Sequence, residues 1–532
     1  MALERWFLTS QERGNAHTVL DRRHGGLAWT HGNEVRPLIH GAVYFAELLR
    51  CVRSMGPGDV LMFTDWRGDP DELLAGPGTE VSTVLCEAAA RDVTVKGLVW
   101  RSHLDRFAFS EQENRHLGEQ IEAAGGECVR DMRVRTGGSH HQKYVVLRHR
   151  DHPERDVAFA GGIDLCHSRH DDAAHAGDPQ AQPMAAVFGD RPPWQDAQLA
   201  VRGPAVGDIE ASFRERWDDP APVTRSPFNR VADRLRHDDD SADRLPEQLP
   251  DPARCGSQAV QVLRTYPWRS RGYPFAPRGE RSVARAYRKV IANAHSLIYV
   301  EDQYFWADAV VQCFADALAA NEELRLIAVI PRYPDQDGRL SLAPNLVGRL
   351  QALELVRSAG PDRVAVYGLE NHAGTPVYVH AKVCVVDDVW ASVGSDNVNR
   401  RSWTHDSELS CAVVDDELDE RGPRVIDRFG DGARRFAREL RLELAREHLD
   451  RGTGQDADLL GPVSAFEQFR RSADELERWH EGGRKGARPP GRLRPYRLDP
   501  LPRRTLLWAA PMYRTVYDPD GRPWGMRRRN AF

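Results

Sequence analysis

The chain has 532 residues, of which 41% are apolar and 29% charged. This composition disfavours a largely disordered chain. The sequence contains no apolar run long enough to cross a bilayer, which disfavours an integral membrane protein. Its length predicts three to four domains at about 150 residues each. The net charge of −6 is unevenly distributed along the chain. Residues 484–532 hold 13 Lys/Arg against 3 Asp/Glu and carry +10, so the rest of the chain carries −16.

The N-terminus reaches Glu4 before any hydrophobic stretch, so it does not resemble a signal peptide. Eight cysteines are scattered singly with no CxxC pair, which disfavours zinc ribbons and disulfide scaffolds and fits a reducing compartment. We therefore expect a cytoplasmic protein, with any membrane contact made peripherally.

Helices and strands alternate along two parts of the chain. Apolar spacing in the first part predicts helix 42–52, strand 60–63, helix 81–90 and strand 93–100. The second part repeats the pattern as helix 283–292, strand 297–300, helix 310–320 and strand 324–330. Such alternation with apolar strands predicts an α/β fold whose strands are buried on both faces.

Each part ends in a similar block. His141-Gln-Lys143 is followed by apolar residues and a Gly-Gly pair, and His380-Ala-Lys382 by apolar residues and a Gly-Ser pair. The two blocks lie at nearly the same distance beyond the first strand of their part, which indicates a divergent duplication. We predict an N-terminal half at 1–220, a charged connector at 221–257, a C-terminal half at 258–450, and a basic, irregular tail at 451–532.

A histidine and a lysine two residues apart on a strand point to the same face. Two such pairs suit a phosphodiester, because one neutral histidine can attack phosphorus while a protonated one gives a proton to the leaving oxygen. The two lysines and a donor such as Asn397 would hold the non-bridging oxygens. This chemistry needs no metal or cofactor.

The two blocks, at 141–148 and 380–387, resemble the paired HxKxxxxD motifs of the phospholipase D superfamily, and most of all its plant and animal phosphatidylcholine-cleaving members. The resemblance covers roughly residues 35 to 450. It is carried by Ser139-His-His-Gln-Lys143, Phe159-Ala-Gly-Gly-Ile-Asp-Leu-Cys166, Trp194-Gln-Asp196, Ile298-Tyr-Val-Glu-Asp-Gln-Tyr-Phe305, Tyr378-Val-His-Ala-Lys382, Gly394-Ser-Asp-Asn-Val-Asn-Arg-Arg-Ser402 and Asp406-Ser-Glu408.

The resemblance implies two α/β/α sandwich halves with mixed sheets, related by a pseudo-twofold axis, and one active site between them. It implies His141 as the nucleophile and His380 as the general acid. Glu408 would orient His141, with Asp406 as the alternative, and Asp196 would orient His380. The remaining site residues that it implies are Lys143, Lys382 and Asp387, with Asn397, Ser395 and Gly162 as phosphate ligands.

One position departs from the family pattern. The first motif has Arg148 where the family has Asp, whereas Asp387 is in place in the second. That Asp is usually a structural support, so we expect altered packing at the end of the first strand. An inactive, membrane-binding member of the family is therefore one alternative function.

The function implied by the resemblance is hydrolysis of a glycerophospholipid to phosphatidic acid through a phosphohistidine, with transfer to alcohols. One chain would suffice for a complete site. A cardiolipin synthase-like transferase and a nuclease are the alternatives within the superfamily, and a nucleic-acid substrate is disfavoured. The His167-Ser-Arg-His170 segment is a weak candidate metal site. The basic tail could contact a membrane, nucleic acid, or the acidic surface of the chain itself.

Overall fold

The computed structural model describes residues 2–102, 111–224, 242–497 and 500–532. Its strands are β1 Thr30–Ile39, β2 Val60–Asp65, β3 Thr94–Trp100, β4 Glu127–Asp131, β5 Tyr144–Arg148, β6 Val157–Gly161, β7 Trp194–Gln195, β8 Ala197–Arg202, β9 Gln258–Tyr266, β10 Glu280–Arg281, β11 Leu297–Glu301, β12 Arg325–Val329, β13 Val364–Glu370, β14 Pro376–Val379, β15 Val383–Val386, β16 Trp390–Gly394, β17 Glu408–Asp415 and β18 Leu493–Pro495. Its α-helices are Ser10–Arg13, Gly41–Arg53, Val81–Ala90, Glu111–Ala123, Ala205–Trp217, Ser282–Asn293, Asp308–Ala320, Arg339–Ala359, Arg400–Thr404, Arg435–His448, Pro462–Glu481, Arg503–Met512 and Trp524–Arg528.

Each half contains a sheet with the same strand order. The N-terminal sheet runs β4-β3-β2-β5-β6-β8-β1, and the C-terminal sheet runs β13-β12-β11-β15-β16-β17-β9. In both, the first three strands are parallel and the remaining neighbours are antiparallel. The α/β fold with mixed sheets is confirmed, and the shared order is the structural counterpart of the duplicated sequence blocks.

The two sheets meet edge to edge and share one core. β1 pairs antiparallel with β9, with an irregularity between Thr30 and Asn33. Alternate residues of each strand face opposite sides, so Val60 and Met62 of β2 and Tyr299 of β11 enter one large apolar cluster that spans both halves. The other faces are covered by helices of their own half.

The tail is more regular than its glycines and prolines suggested. Helix Pro462–Glu481 packs through a stripe of apolar residues spaced three or four apart, namely Ala465, Phe466, Phe469, Ala473 and Leu476. Strand β18 then pairs antiparallel with β13. The expectation of an irregular tail is therefore wrong for helix Pro462–Glu481, strand β18 and helices Arg503–Met512 and Trp524–Arg528. In the first of these helices a 3.6-residue apolar period outweighs the Gly/Pro-rich stretch that follows it. Most of the predicted connector, 225–241, lies outside the described residues.

Within the parts of the chain that the structure describes, we find no helix that is both long and apolar enough to cross a membrane.

Candidate active site

Backbone hydrogen bonds between the halves, here called the two backbone bridges, hold the histidines at the junction. The His141 N–H donates to the Ser407 carbonyl at 3.0 Å, and the Ser407 N–H donates to the Ser139 carbonyl at 3.0 Å. In the equivalent place, the His380 N–H donates to the Gln195 carbonyl at 2.8 Å, where β14 pairs with β7. Each histidine therefore lies beside the residue that precedes a carboxylate of the other half.

The result is two histidine–carboxylate pairs, each formed across the junction. His141 Nδ1 lies 2.9 Å from Glu408 Oε2, and His380 Nδ1 lies 2.6 Å from Asp196 Oδ2. Both carboxylates are buried. A carboxylate at Nδ1 holds the proton on that nitrogen, so Nε2 of each ring keeps its lone pair for a substrate.

Burial controls the protonation of these groups. It lowers the pKa of His141 and of His380 well below the ordinary value, and the neighbouring lysine cations lower both further. Burial also raises the pKa of Glu408 and of Asp196. With no charged ligand present, both imidazoles are therefore held neutral, as a nitrogen nucleophile must be.

The two lysines are buried beside the rings. Lys143 Nζ donates to the carbonyl of His141 at 2.9 Å and lies 3.6 Å from Asp164 Oδ1. Lys382 Nζ donates to the carbonyl of His380. Burial lowers the pKa of Lys382 to about 8. Each cation is thus fixed by the backbone of its own histidine, next to the place where an anion would bind.

Both histidines open into one cleft of about 500 Å³. Its walls include Trp66, Trp194 and Tyr378, and the guanidinium of Arg169 stacks over the Trp194 ring at 4.1 Å. The lining combines aromatic rings with charged and polar side chains such as Asp164 and Gln303, which suits a small, charged ligand. Sequence reasoning missed Arg169, although it lies in the loop directly after the first Gly-Gly pair.

Comparisons with known proteins identify the family of the chain. The family model described as "Phospholipase D" matches residues 76–313, and the one described as "Cardiolipin synthase, PLD-like domain" matches residues 287–427. The chain belongs to the phospholipase D superfamily. The two matches together cover both histidine–lysine blocks of this superfamily member.

The curated relatives are longer proteins. The chain is 28% identical to human phospholipase D1 over 58% of its own length and 32% of that protein. It is 26% identical to phospholipase D1 of Saccharomyces cerevisiae, over 84% of this chain and 30% of that one. It is 24% identical to phospholipase D alpha 1 of Cynara cardunculus, over 64% of this chain and 56% of that protein. The chain therefore spans between about a third and just over half of these relatives.

Among solved structures, the phosphatidylserine synthase of Haemophilus influenzae superposes with a TM-score of 0.49 at 13% identity. The match covers 72% of this chain and 82% of that one.

Asp406 and Ser395 support the pair formed by His141 and Glu408. The Asp406 carboxylate accepts the backbone N–H and the hydroxyl of Ser139, both at 2.9 Å, so Glu408 and not Asp406 contacts His141. The Ser395 hydroxyl donates to Glu408 Oε2 at 2.5 Å. The Ser395 hydroxyl is thus engaged with Glu408 in this structure, and phosphate binding by Ser395 stays a prediction.

Gly162 is needed for space beside Asp196. Its N–H donates to the Ala197 carbonyl at 3.0 Å, and a Cβ at this position would lie 2.2 Å from Asp196 Oδ1. The residue makes room for the orienting carboxylate, and its contact with phosphate stays a prediction. Asn397 remains a candidate phosphate ligand, since its side chain is buried and its amide nitrogen Nδ2 is a hydrogen-bond donor.

Asp387 lies away from the reacting groups. Its carboxylate accepts the backbone N–H groups of His295, Ser296 and Leu297 at 2.7 to 2.9 Å. The four residues of β15 separate it from Lys382, a distance of roughly 15 Å along an extended strand. These contacts agree with the structural support that this Asp usually gives, and its place among the catalytic residues stays a prediction.

Arg148 is accommodated at the end of β5 by a different set of contacts. The buried guanidinium forms ion pairs with Asp156 at 2.8 Å and with Glu210, and it donates to the carbonyl of Pro250 at 2.5 Å. This altered packing was expected from the sequence. It lies at the far end of the strand from Lys143, so it leaves the histidine–carboxylate geometry intact.

One group of described residues could hold a metal ion by geometry. His40 and His175 flank Glu447 at 2.7 and 3.0 Å, which places three ligand atoms close together. The hydrogen bonds to Glu447 already occupy these atoms. In the loop proposed as a weak metal site, His167 instead lies 3.3 Å from Asp69, and the His170 backbone N–H donates to Asp178.

Proposed function

We propose that the chain is a phospholipase D-type phosphodiesterase. Its substrate is a glycerophospholipid, phosphatidylcholine or a similar lipid, and its products are phosphatidic acid and the free headgroup. The observation that carries the proposal is the pair of histidines, each within hydrogen-bond distance of a carboxylate of the other half, with two buried lysines beside them.

In the first step, His141 Nε2 attacks phosphorus. The new P–N bond forms as the bond from phosphorus to the headgroup oxygen breaks, and His380 gives its Nε2 proton to that oxygen. Binding of the anionic phosphodiester raises the pKa of His380, because a negative charge beside the ring stabilises the imidazolium. The substrate therefore brings the general acid into its protonated form.

In the second step, the neutral His380 takes a proton from water as the water oxygen attacks phosphorus, and the P–N bond to His141 breaks. A primary alcohol in place of water yields the corresponding phosphatidyl alcohol. Lys143, Lys382 and Asn397 hold the non-bridging oxygens in both steps and stabilise the added charge of the pentacoordinate transition state.

The setting of this reaction is a membrane surface, to which the protein binds peripherally. A nucleic-acid substrate is disfavoured, and both histidines and both carboxylates come from one chain, so a monomer holds a complete site. The protein acts in the cytoplasm, where single cysteines remain reduced.

The decisive test is incubation with phosphatidylcholine and ethanol, followed by mass spectrometry of the lipids. We expect phosphatidylethanol and phosphatidic acid from the wild type, and a loss of several orders of magnitude in His141→Asn and in His380→Asn. Absence of both products at every pH from about 5 to 8, the range in which histidine titrates, would refute the proposal and favour an inactive family member.

A further inference from the structure

The basic tail separates into two parts with different surroundings. In the first part, residues 484–497, arginines are paired with acidic groups of the folded body. Arg488 and Arg494 contact Glu370 at 3.2 and 2.6 Å, and Arg492 contacts Asp450 at 3.1 Å. This part neutralises the negative surface of the chain.

The second part, residues 500–532, is here called the C-terminal cap. It contains seven arginines and two aspartates. Asp518 is buried against Arg400, and Asp520 pairs with Arg522. Five exposed arginines of the cap have no ion pair within the described ranges of the chain, namely Arg503, Arg504, Arg514, Arg528 and Arg529. The outer surface of the cap is therefore positive.

The same surface exposes large apolar side chains. Leu507 is 80% exposed, Trp524 74%, Val516 59% and Trp508 37%. The opposite side of the cap is anchored, because Ala509 and Tyr513 are buried in the core of the C-terminal half. Arginines mixed with tryptophan and leucine on a fixed surface are the composition of peripheral membrane-binding elements.

The cap borders the active-site cleft. Arg401 donates to the Val516 carbonyl at 3.1 Å and forms an ion pair at 2.7 Å with Asp406, the residue that holds Ser139. The Tyr513 ring lies 5.7 Å from Trp306, which lies 4.2 Å from Tyr304 in the wall of the cleft. A partner that binds the cap would therefore lie next to the opening of the cleft.

We propose that the C-terminal cap docks the protein onto an anionic phospholipid bilayer. The exposed arginines face the negative headgroups, and Leu507, Val516 and Trp524 enter the interface. This inference rests on the proposed function, because a lipid substrate reaches the cleft from a bilayer. It divides the tail between two of the three surroundings considered from sequence, with 484–497 on the protein and 500–532 on the membrane.

The test is vesicle co-sedimentation in a His141→Asn background, which prevents turnover during binding. The probes are vesicles of phosphatidylcholine alone and of phosphatidylcholine with phosphatidylserine. Arg503→Glu with Arg504→Glu should weaken binding to the anionic vesicles by at least about 30-fold, since each lost basic residue costs about fivefold at an anionic surface and the new carboxylates add repulsion. Acidic residues suit the first turn of a helix, so this variant keeps its fold.

Arg470→Glu with Arg471→Glu is the matched control. It makes the same change of charge on the exposed side of helix Pro462–Glu481 and should leave vesicle binding unchanged. A second cap variant, Leu507→Gln with Trp524→Gln, should weaken binding to both kinds of vesicle. Binding equal to wild type in both cap variants, or binding to DNA in place of vesicles, would overturn the docking proposal.

A soluble short-chain phosphatidylcholine separates docking from chemistry. With His141 restored, the cap variants should hydrolyse it at the wild-type rate while losing activity on anionic vesicles. If the wild type binds vesicles through the cap but cleaves neither lipid, the proposed function fails and the docking surface stands. Equal loss of activity on the soluble and the vesicle substrate would contradict a role confined to docking.

Discussion

Replacing Asp196 by Asn tests whether the carboxylate at His380 sets the chemistry. Asp196 Oδ2 lies 2.6 Å from His380 Nδ1, and Oδ1 accepts the Ala197 N–H at 2.9 Å. Asparagine has the same shape but only one acceptor oxygen. If that oxygen stays with Ala197, an amide N–H faces Nδ1, and His380 must move its proton to Nε2 to avoid a clash of donors.

The expected magnitude follows from the bonds that are lost. A charge-assisted hydrogen bond is worth about 1.5 to 3 kcal/mol, which corresponds to roughly 10- to 150-fold in rate. The altered tautomer adds to this, and loss of an orienting carboxylate in histidine-based catalysis costs up to about 10⁴. We expect kcat of Asp196→Asn to fall by about 10² to 10⁴, with a loss of about 1 to 3 kcal/mol in unfolding free energy from the unpaired amide.

The assay measures kcat on a soluble phosphatidylcholine together with the urea unfolding midpoint. Glu408→Gln is the matched variant at the other histidine, and it should be similarly impaired. A kcat within fivefold of wild type, in a variant with normal unfolding, would refute the role given to Asp196. A loss of activity that tracks the loss of folded protein would show that the residue is only structural.

Three further predictions concern buried groups near the two motifs. Lys382 is charged below about pH 8 and neutral above it, so kcat/KM should decline as pH rises through that value, and Lys382→Arg should move the decline to higher pH. Asp387→Asn leaves one buried N–H unpaired and should cost about 1 to 3 kcal/mol of stability in urea unfolding, with kcat unchanged. Arg148→Ala should cost about 3 to 5 kcal/mol by leaving Asp156 and Glu210 without their cation. Its remaining folded protein should keep wild-type kcat, and a catalytic defect there would contradict the structural role.

Much of the fold was readable because it depends on local periodicity. The predicted helix 81–90 matches Val81–Ala90, and the predicted strand 297–300 falls within Leu297–Glu301. The duplication was visible as well, because both halves keep a histidine–lysine pair, although the structure places each pair directly before β5 or β15 and not on a strand. Sheet order and the edge pairing of β1 with β9 were not readable, since they depend on contacts between residues more than 200 positions apart.

The site was predictable in its reacting groups and less so in their supports. Both histidine–carboxylate pairs came from resemblance, and the structure places them within hydrogen-bond distance. Ser395 and Gly162 were assigned to phosphate because they neighbour the motifs. In the structure, Ser395 contacts Glu408 and Gly162 lies beside Asp196. Each partner belongs to a neighbouring strand or its flanking residues, so spacing along the sequence does not predict these contacts.

The two backbone bridges at the junction make the reaction depend on strand register. Side chains alternate along an extended segment, so a slip of one residue in either bridge would turn a histidine away from its carboxylate. The bridge hydrogen bonds use main-chain atoms of Ser139, Ser407 and Gln195. The two halves must therefore keep the register of both bridges. Catalytic activity at this junction would then report whether the halves have packed together correctly.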